Sequence, residues 1–231
     1  RRRFMKTIKI IFTGGTIGST LLEGIISPHG EKPRALLEAY KVKYGTDLTQ
    51  IADFSEPYTI LSENIDGAVL GKLIEEVARS LKEGYKGIII THGTDTLQYT
   101  GAALGYAFGM CSVPIILVSS NYPIENSRAN GIDNLHGAVC WLQDYFTGGV
   151  WVSYQNEGEP LRIYRATRLL PHPQGSDRIE SVGAGAAGFY DAQWNFCKNS
   201  AYTEQKDAIL PLFPVKNLHI LQLYHRTTSV W

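Results

Sequence analysis

The 231-residue chain has few cysteines, no excess of charge of either sign and no long apolar run. Its three cysteines, Cys111, Cys140 and Cys197, are too widely spaced for a disulfide framework or a metal motif, which favours a reducing, cytoplasmic location. No apolar run approaches the roughly 20 residues that span a bilayer, and residues 1–4 lack the apolar core of a signal peptide. We therefore expect no membrane partner.

The balance of charge and the scarcity of known motifs exclude further classes. Lysine plus arginine number 22, as do aspartate plus glutamate, so the formal net charge is zero and a nucleic-acid partner is disfavoured. Six histidines are scattered without ligand spacing, so we expect no metal. The chain contains neither a G-x-x-x-x-G-K-[ST] phosphate loop nor a G-x-S-x-G nucleophile elbow.

Segments with strand and helix patterns alternate along the chain. Apolar runs predict strands over 6–13, 58–61, 87–91, 113–119, 149–154 and 161–164. Helical spacing predicts helices over 31–44, 66–82, 96–110 and 128–142. Asp66 is the predicted N-cap of the second helix, and Gly84 is its predicted C-cap. This order predicts an α/β fold with a mostly parallel sheet and helices on both faces.

The composition changes after Arg168. Residues 169–193 are rich in glycine, proline, serine and alanine, which predicts an irregular loop. A proline-bearing stretch resembles a linker, and a new apolar strand begins at Leu218 shortly before the sequence stops. We expect a first domain over 5–205, a linker over 206–216, and only the start of a smaller, truncated second α/β domain over 217–231.

Two segments rich in threonine and glycine follow predicted buried strands. Residues 13–18 read Thr-Gly-Gly-Thr-Ile-Gly, and residues 91–96 read Thr-His-Gly-Thr-Asp-Thr. Ligands of open α/β sheets bind at the carboxyl ends of the strands, so the two loops are predicted to face one pocket. A threonine hydroxyl can serve as a nucleophile, and neighbouring glycines let a substrate approach the backbone.

Each segment also has a purely structural interpretation. The first could be a tight turn, although it does not match the dinucleotide fingerprint G-x-G-x-x-G. In the second, Thr94 or Asp95 could cap the following helix, and His92 is expected to be a structural hydrogen-bonding residue. The presence of both segments in one chain favours a functional site.

Together the two segments resemble the signature motifs of the L-asparaginase/glutaminase family. The segments Ser62-Glu63-Asn64 and Arg165-Ala166-Thr167 extend the resemblance, which covers the chain from about Lys6 to Tyr224. It implies an L-asparaginase that hydrolyses the amide of asparagine, and of glutamine as a side activity, to the acid and ammonia. It also implies two-domain subunits that form homodimers or homotetramers and need no metal or cofactor.

The resemblance assigns catalytic roles by position. Thr16 would be the nucleophile that forms an acyl-enzyme, and Thr94 would be the second essential threonine, with Asp95 beside it. Backbone N–H groups near Gly93 and Thr94 would hold the developing oxyanion.

The resemblance likewise assigns the substrate-binding residues. Ser62 and Glu63 would hold the α-carboxylate and α-ammonium groups, helped by Asp95, because an amino acid needs an anion near its ammonium group and donors near its carboxylate.

The chain departs from the family pattern in three places. Arg168 stands where the family has a proton-handling lysine; it can orient Asp95 and supply positive charge, but a guanidinium cannot accept a proton at neutral pH. Residues 19–30 lack the tyrosine that assists the nucleophile in the family. We also expect most of the second domain to be absent.

These departures keep two alternatives open. One is a binding module that retains the amino-acid pocket with weakened catalysis. The other is an asparaginase-like subunit of a tRNA-dependent amidotransferase, against which the neutral charge counts.

Overall fold

The computed structural model describes residues 7–203 except for short gaps. The gaps are residues 16, 18, 19, 23, 24, 28–31, 146, 174, 175 and 184. The predicted linker over 206–216 and the start of a second domain over 217–231 lie outside the described residues, so both stay predictions.

The described elements alternate as the pattern predicts. The strands are β1 (Ile8–Ile11), β2 (Thr20–Leu22), β3 (Ile25–Ser27), β4 (Ala52–Ser55), β5 (Gly87–Thr91), β6 (Pro114–Val118), β7 (Gly149–Tyr154), β8 (Arg162–Arg165), β9 (Gly188–Tyr190) and β10 (Phe196–Lys198). The helices are α1 (Lys32–Tyr44), α2 (Gly67–Glu83), α3 (Leu97–Phe108) and α4 (Gly131–Asp144). Short 3₁₀ turns span Leu48–Gln50, Ser62–Asn64 and Ala166–Arg168.

Eight of the described strands form one sheet in the order β10-β9-β8-β7-β6-β5-β1-β4. Five neighbouring strands of this sheet run parallel, namely β4, β1, β5, β6 and β7. Beyond β7, strands β8, β9 and β10 add an antiparallel extension. Strands β2 and β3 pair separately. The mostly parallel sheet is therefore confirmed, and the carboxyl ends of β1, β5 and β6 share one edge.

Helices cover both faces of this sheet, as predicted. On one face, α1 and α4 pack their apolar side chains, such as Tyr40 and Leu135, on β1, β5 and β6. On the other face, α2 and α3 do the same through residues that include Leu73 and Leu104. The central strands are buried on both sides, which explains their unbroken apolar runs.

Two predictions from the pattern are wrong in detail. The strand predicted over 58–61 lies earlier, as β4, and only Ile60 of the predicted segment forms an isolated bridge, to Gly14. Strand β4 is at the sheet edge and half-buried, so it has no apolar run to reveal it. The irregular loop predicted over 169–193 contains β9, where Gly188 lets the chain pack against Phe196.

Both predicted caps of α2 are confirmed. The side chain of Asp66 accepts a hydrogen bond from the Val69 N–H at 2.8 Å. Gly84 ends the helix in the left-handed region, with φ of +87°. These caps hold the helix that packs beneath β1 and β5.

We expect Asp66→Ala to lower the free energy of unfolding by about 1 kcal/mol, because the Val69 N–H loses its acceptor. Urea unfolding monitored by circular dichroism measures the change. Asp66→Asn, which keeps a capping oxygen, is the control and should stay close to the wild type. Equal stabilities for the alanine and asparagine variants would contradict the capping role.

Candidate active site

Hydrogen bonds between Thr13 and Thr91 join the carboxyl ends of β1 and β5. The Thr13 hydroxyl donates to the Thr91 carbonyl at 2.5 Å, and the Thr13 N–H donates to the Thr91 hydroxyl at 3.4 Å. Both residues are buried. The first threonine of each predicted segment is therefore a structural tie that sets the spacing between the two loops.

The first loop turns sharply after Thr13. Gly14 and Gly15 have φ of +90° and +74°, in the left-handed region that favours glycine. The Gly15 N–H donates to the Ile60 carbonyl at 3.1 Å, and the Ile60 N–H donates to the Thr13 carbonyl at 3.2 Å. The loop is thus held on its far side by the segment that precedes Ser62.

The structure brings the two loops into backbone contact. A Cβ atom on Gly15 would lie 2.6 Å from Gly93 Cα, and one on Gly93 would lie 2.6 Å from Ser62 Cβ. Both separations are shorter than any tolerable van der Waals contact. The glycines therefore allow three chain segments to meet at the edge of the sheet, where the sequence predicts a site.

Ser62 and Asp95 are joined directly. The Ser62 hydroxyl donates to Asp95 Oδ2 at 3.0 Å, and the Thr96 hydroxyl donates to the Ser62 carbonyl at 2.9 Å. Ser62 is buried, whereas Asp95 and Glu63 are exposed and Thr94 is half-buried. The N-cap of α3 is Thr96, which makes no side-chain capping bond, so the capping interpretation of Thr94 and Asp95 is wrong.

His92 is fully buried beneath the second loop. Its Nδ1 lies 2.7 Å from the Gly93 carbonyl oxygen, which bears out the expected structural hydrogen bond. Burial lowers the pKa of His92 to about 4, and the bond to Gly93 and the charge of Asp95 offset part of that change. The ring is therefore neutral at physiological pH.

Arg168 lies in the 3₁₀ turn that packs against α3. Its guanidinium donates to the Thr203 carbonyl at 3.2 Å and lies over the Tyr202 ring, 5.1 Å from the centroid. The structure thus connects Arg168 to the end of the described chain. Its predicted action on Asp95 stays a prediction.

Thr16, the predicted nucleophile, lies outside the described residues. Its neighbours in the chain, Gly15 and Ile17, are both buried, and Gly15 contacts the second loop. The structure therefore places the flanks of Thr16, together with Ser62, Gly93 and Asp95, at one edge.

Sequence reasoning missed Tyr58, which is packed near the first loop. Burial raises the pKa of its phenol, and the hydroxyl of Thr13 partly opposes that rise. Its only sequence signal is an aromatic ring shortly before Ser62.

In the part of the chain that the structure describes, no group of three histidine, cysteine or acidic side chains could hold a metal ion, and no helix could span a membrane.

Comparison with known proteins finds relatives that are similar to this chain in sequence. The chain is 32% identical over 182 residues to a glutamyl-tRNA(Gln) amidotransferase subunit of Sulfolobus acidocaldarius, an alignment covering 76% of the chain and 40% of the relative. It is 34% identical to the corresponding protein of the same name from Sulfurisphaera tokodaii, covering 76% and 39%. The chain thus spans about two fifths of the length of the curated relatives it matches.

Solved structures share the fold at lower identity. L-asparaginase I of Vibrio cholerae superposes with a TM-score of 0.72 and 24% identity, over 90% of this chain and 62% of that one. A probable cytoplasmic L-asparaginase from Campylobacter jejuni gives 0.68 and 23%, over 86% and 58%. Residues 7–202 match the family described as "Asparaginase, N-terminal". With its sheet order, its two joined threonine loops and this match over most of its length, the chain belongs to the asparaginase family.

Proposed function

We propose that this domain hydrolyses the side-chain amide of asparagine, with Thr16 as the nucleophile. The observation that carries the proposal is the backbone contact between the two loops at Gly15 and Gly93. Thr16 follows Gly15 in the chain and Thr94 follows Gly93, so the two proposed catalytic threonines belong to the segments that meet. A cytoplasmic enzyme acting on a free amino acid also agrees with the neutral overall charge.

The charges around this contact suit an amino-acid substrate. Asp95 and Glu63 are exposed carboxylates on neighbouring loops and would hold the α-ammonium group. The hydroxyl of Ser62, which donates to Asp95 here, would donate to the α-carboxylate when substrate is bound. The site thus offers an anion and a donor side by side, as an α-amino acid requires.

The proposed reaction passes through an acyl-enzyme. The Thr16 hydroxyl attacks the amide carbon, and backbone N–H groups at Gly93 and Thr94 stabilise the oxyanion of the tetrahedral intermediate. The C–N bond breaks and protonated nitrogen leaves as ammonia. Water then hydrolyses the threonine ester to release aspartate, with Thr94 and Asp95 relaying protons.

We expect Thr16→Ala and Thr94→Val each to lower kcat for ammonia release from asparagine by at least about 10³-fold, because each removes a group that acts on the reacting atoms. A coupled ammonia assay measures the rates. Thr147→Ala is the matched control, since Thr147 precedes β7 at the opposite edge of the sheet and its hydroxyl donates to the Tyr145 carbonyl.

Wild-type turnover by either variant would contradict these roles. Calorimetry with aspartate and asparagine tests the binding-module alternative. Binding by the wild type without any turnover would support that alternative over the hydrolase.

We expect Arg168→Lys to raise kcat or to shift its pH profile, because lysine can give up a proton near neutral pH in a suitable site and arginine cannot. Rates measured from pH 5 to about 10 test this. Arg128→Lys is the control. Like Arg168, Arg128 lies over a tyrosine ring, that of Tyr122, and its guanidinium donates to the exposed carboxylate of Glu157. Unchanged profiles for both variants would show that Arg168 does not stand at the proton-handling position.

The names of the curated relatives favour a second candidate function, that of an amidotransferase subunit. In that function the same threonine chemistry would release ammonia for transfer to glutamyl-tRNA(Gln) by a partner protein. The neutral charge argues against direct RNA binding by this domain, but a partner that binds the tRNA would remove that objection.

Substrate preference distinguishes the two candidates. A hydrolase of free asparagine should show a kcat/KM for asparagine at least about tenfold above that for glutamine, a difference of about 1.4 kcal/mol in transition-state binding. The coupled ammonia assay on both amino acids measures it. Equal or greater turnover of glutamine would favour the amidotransferase function.

A further inference from the structure

His92 is anchored where β5 ends. The backbone N–H of His92 donates to the Val118 carbonyl at 2.8 Å, which continues the pairing of β5 with β6 for one more residue. The imidazole has no exposed surface. A ring held this firmly directly before Gly93 can control the conformation of the loop that follows.

The ring carries its single proton on Nδ1. A carbonyl oxygen only accepts hydrogen bonds, so the 2.7 Å contact between Nδ1 and the Gly93 oxygen requires an N–H at Nδ1. The ring is neutral because it is buried, so Nε2 is left as an acceptor. His92 is therefore a hydrogen-bond donor toward the loop and cannot also supply a proton from Nε2.

The hydrogen bond fixes more than one carbonyl. The Gly93 carbonyl and the Thr94 N–H belong to a single peptide unit, and the described chain contains no cis peptide. In a trans unit the two bonds point in opposite directions, so the Thr94 N–H points away from the buried ring. Among the described residues, no group accepts a hydrogen bond from the Thr94 N–H.

This peptide unit needs such an anchor. Gly93 has no side chain to restrict its torsion angles, and its contacts with Gly15 and Ser62 exclude a Cβ atom. Any residue that stabilised the backbone through its own side chain would collide there. His92, the preceding residue, supplies a restraint through its hydrogen bond to the Gly93 carbonyl.

We propose that His92 is a positioning residue that orients the Gly93–Thr94 peptide so that the Thr94 N–H is preset to receive the oxyanion. The inference rests on the proposed amide hydrolysis and adds the residue that preorganises its donor. Preorganised donors stabilise a transition state more than the ground state, so the contribution should appear in kcat.

His92 Nε2 is one of several buried polar atoms that have no hydrogen-bond partner in the described part of the chain. The register pairs Thr91 with Val118, so His92 and Ser119 follow side by side at the ends of β5 and β6. Helix α3 covers one face of these strands and carries Thr100. In the described part of the chain, His92 Nε2, Ser119 Oγ and Thr100 Oγ1 are all buried without hydrogen-bond partners.

Nε2 is thus the ring nitrogen without a donor, whereas Nδ1 lies against the Gly93 carbonyl oxygen. The tautomer therefore follows from the contact with Gly93, because only an N–H at Nδ1 can donate to that carbonyl.

Three variants of His92 test the proposal through kcat for ammonia release. Asparagine carries its amide N–H near the position of Nδ1, glutamine carries it near Nε2, and leucine has none. We expect His92→Asn to keep kcat within about tenfold of the wild type. His92→Gln and His92→Leu should lose about 10²-fold or more, the size of effect seen when one oxyanion donor is removed. Aspartate affinity should change less than threefold in all three.

A merely structural role predicts a different order. Glutamine and leucine fill the volume of imidazole better than asparagine does, so packing alone would make His92→Asn the weakest variant in both activity and melting temperature. That order, or equal kcat in all three folded variants, would overturn the proposal.

Nitrogen NMR of the wild type separates this inference from the proposed function. We expect the His92 imidazole to be neutral with its proton on Nδ1, and an Nε2–H tautomer would overturn the positioning role whatever the activity. A wild type that releases no ammonia from asparagine or glutamine contradicts the proposed function. In that case, a Thr94 amide resonance that moves in His92→Gln but not in His92→Asn still supports the positioning of the peptide, and equal movement in both overturns it.

Discussion

The structure depends on the close approach of two backbones at Gly15 and Gly93. The hydrogen bonds between Thr13 and Thr91 bring the ends of β1 and β5 together, and only residues without side chains then fit between them. The same contact admits Ser62 from a third segment. Without it, the predicted nucleophile loop and the loop that carries Asp95 would be separate surface turns, and no shared site would exist.

Polar groups around this contact divide into two layers. The buried layer, with Thr13, Thr91 and His92, holds the backbone and is closed to substrate. The exposed layer contains the carboxylates of Glu63 and Asp95. This division explains how one six-residue segment combines structural and proposed catalytic residues: alternate side chains of a strand end point to opposite sides, and the loop then turns outward.

Much of the fold was predictable because the physical signal is local. Strands β5 and β6 are buried on both faces and have unbroken apolar sequences, and the caps of α2 follow from single side chains. The apolar pattern does not reveal the position of strand β4, because an edge strand needs few apolar residues. The neutral net charge by itself disfavours the amidotransferase alternative, yet curated relatives carry that name. Net charge describes what a domain can attract by itself and does not exclude a tRNA-binding partner.

The sequence by itself determined the fold class, the family and the two threonine segments, because apolar periodicity and short motifs are properties of neighbouring residues. Only the tertiary structure decided that Asp95 bonds Ser62 instead of capping α3, that Arg168 lies over Tyr202, and that His92 holds the Gly93 carbonyl. These outcomes depend on competition between partners far apart in the chain. Packing decides which acceptor a buried donor reaches, and packing depends on several distant segments of the chain at once.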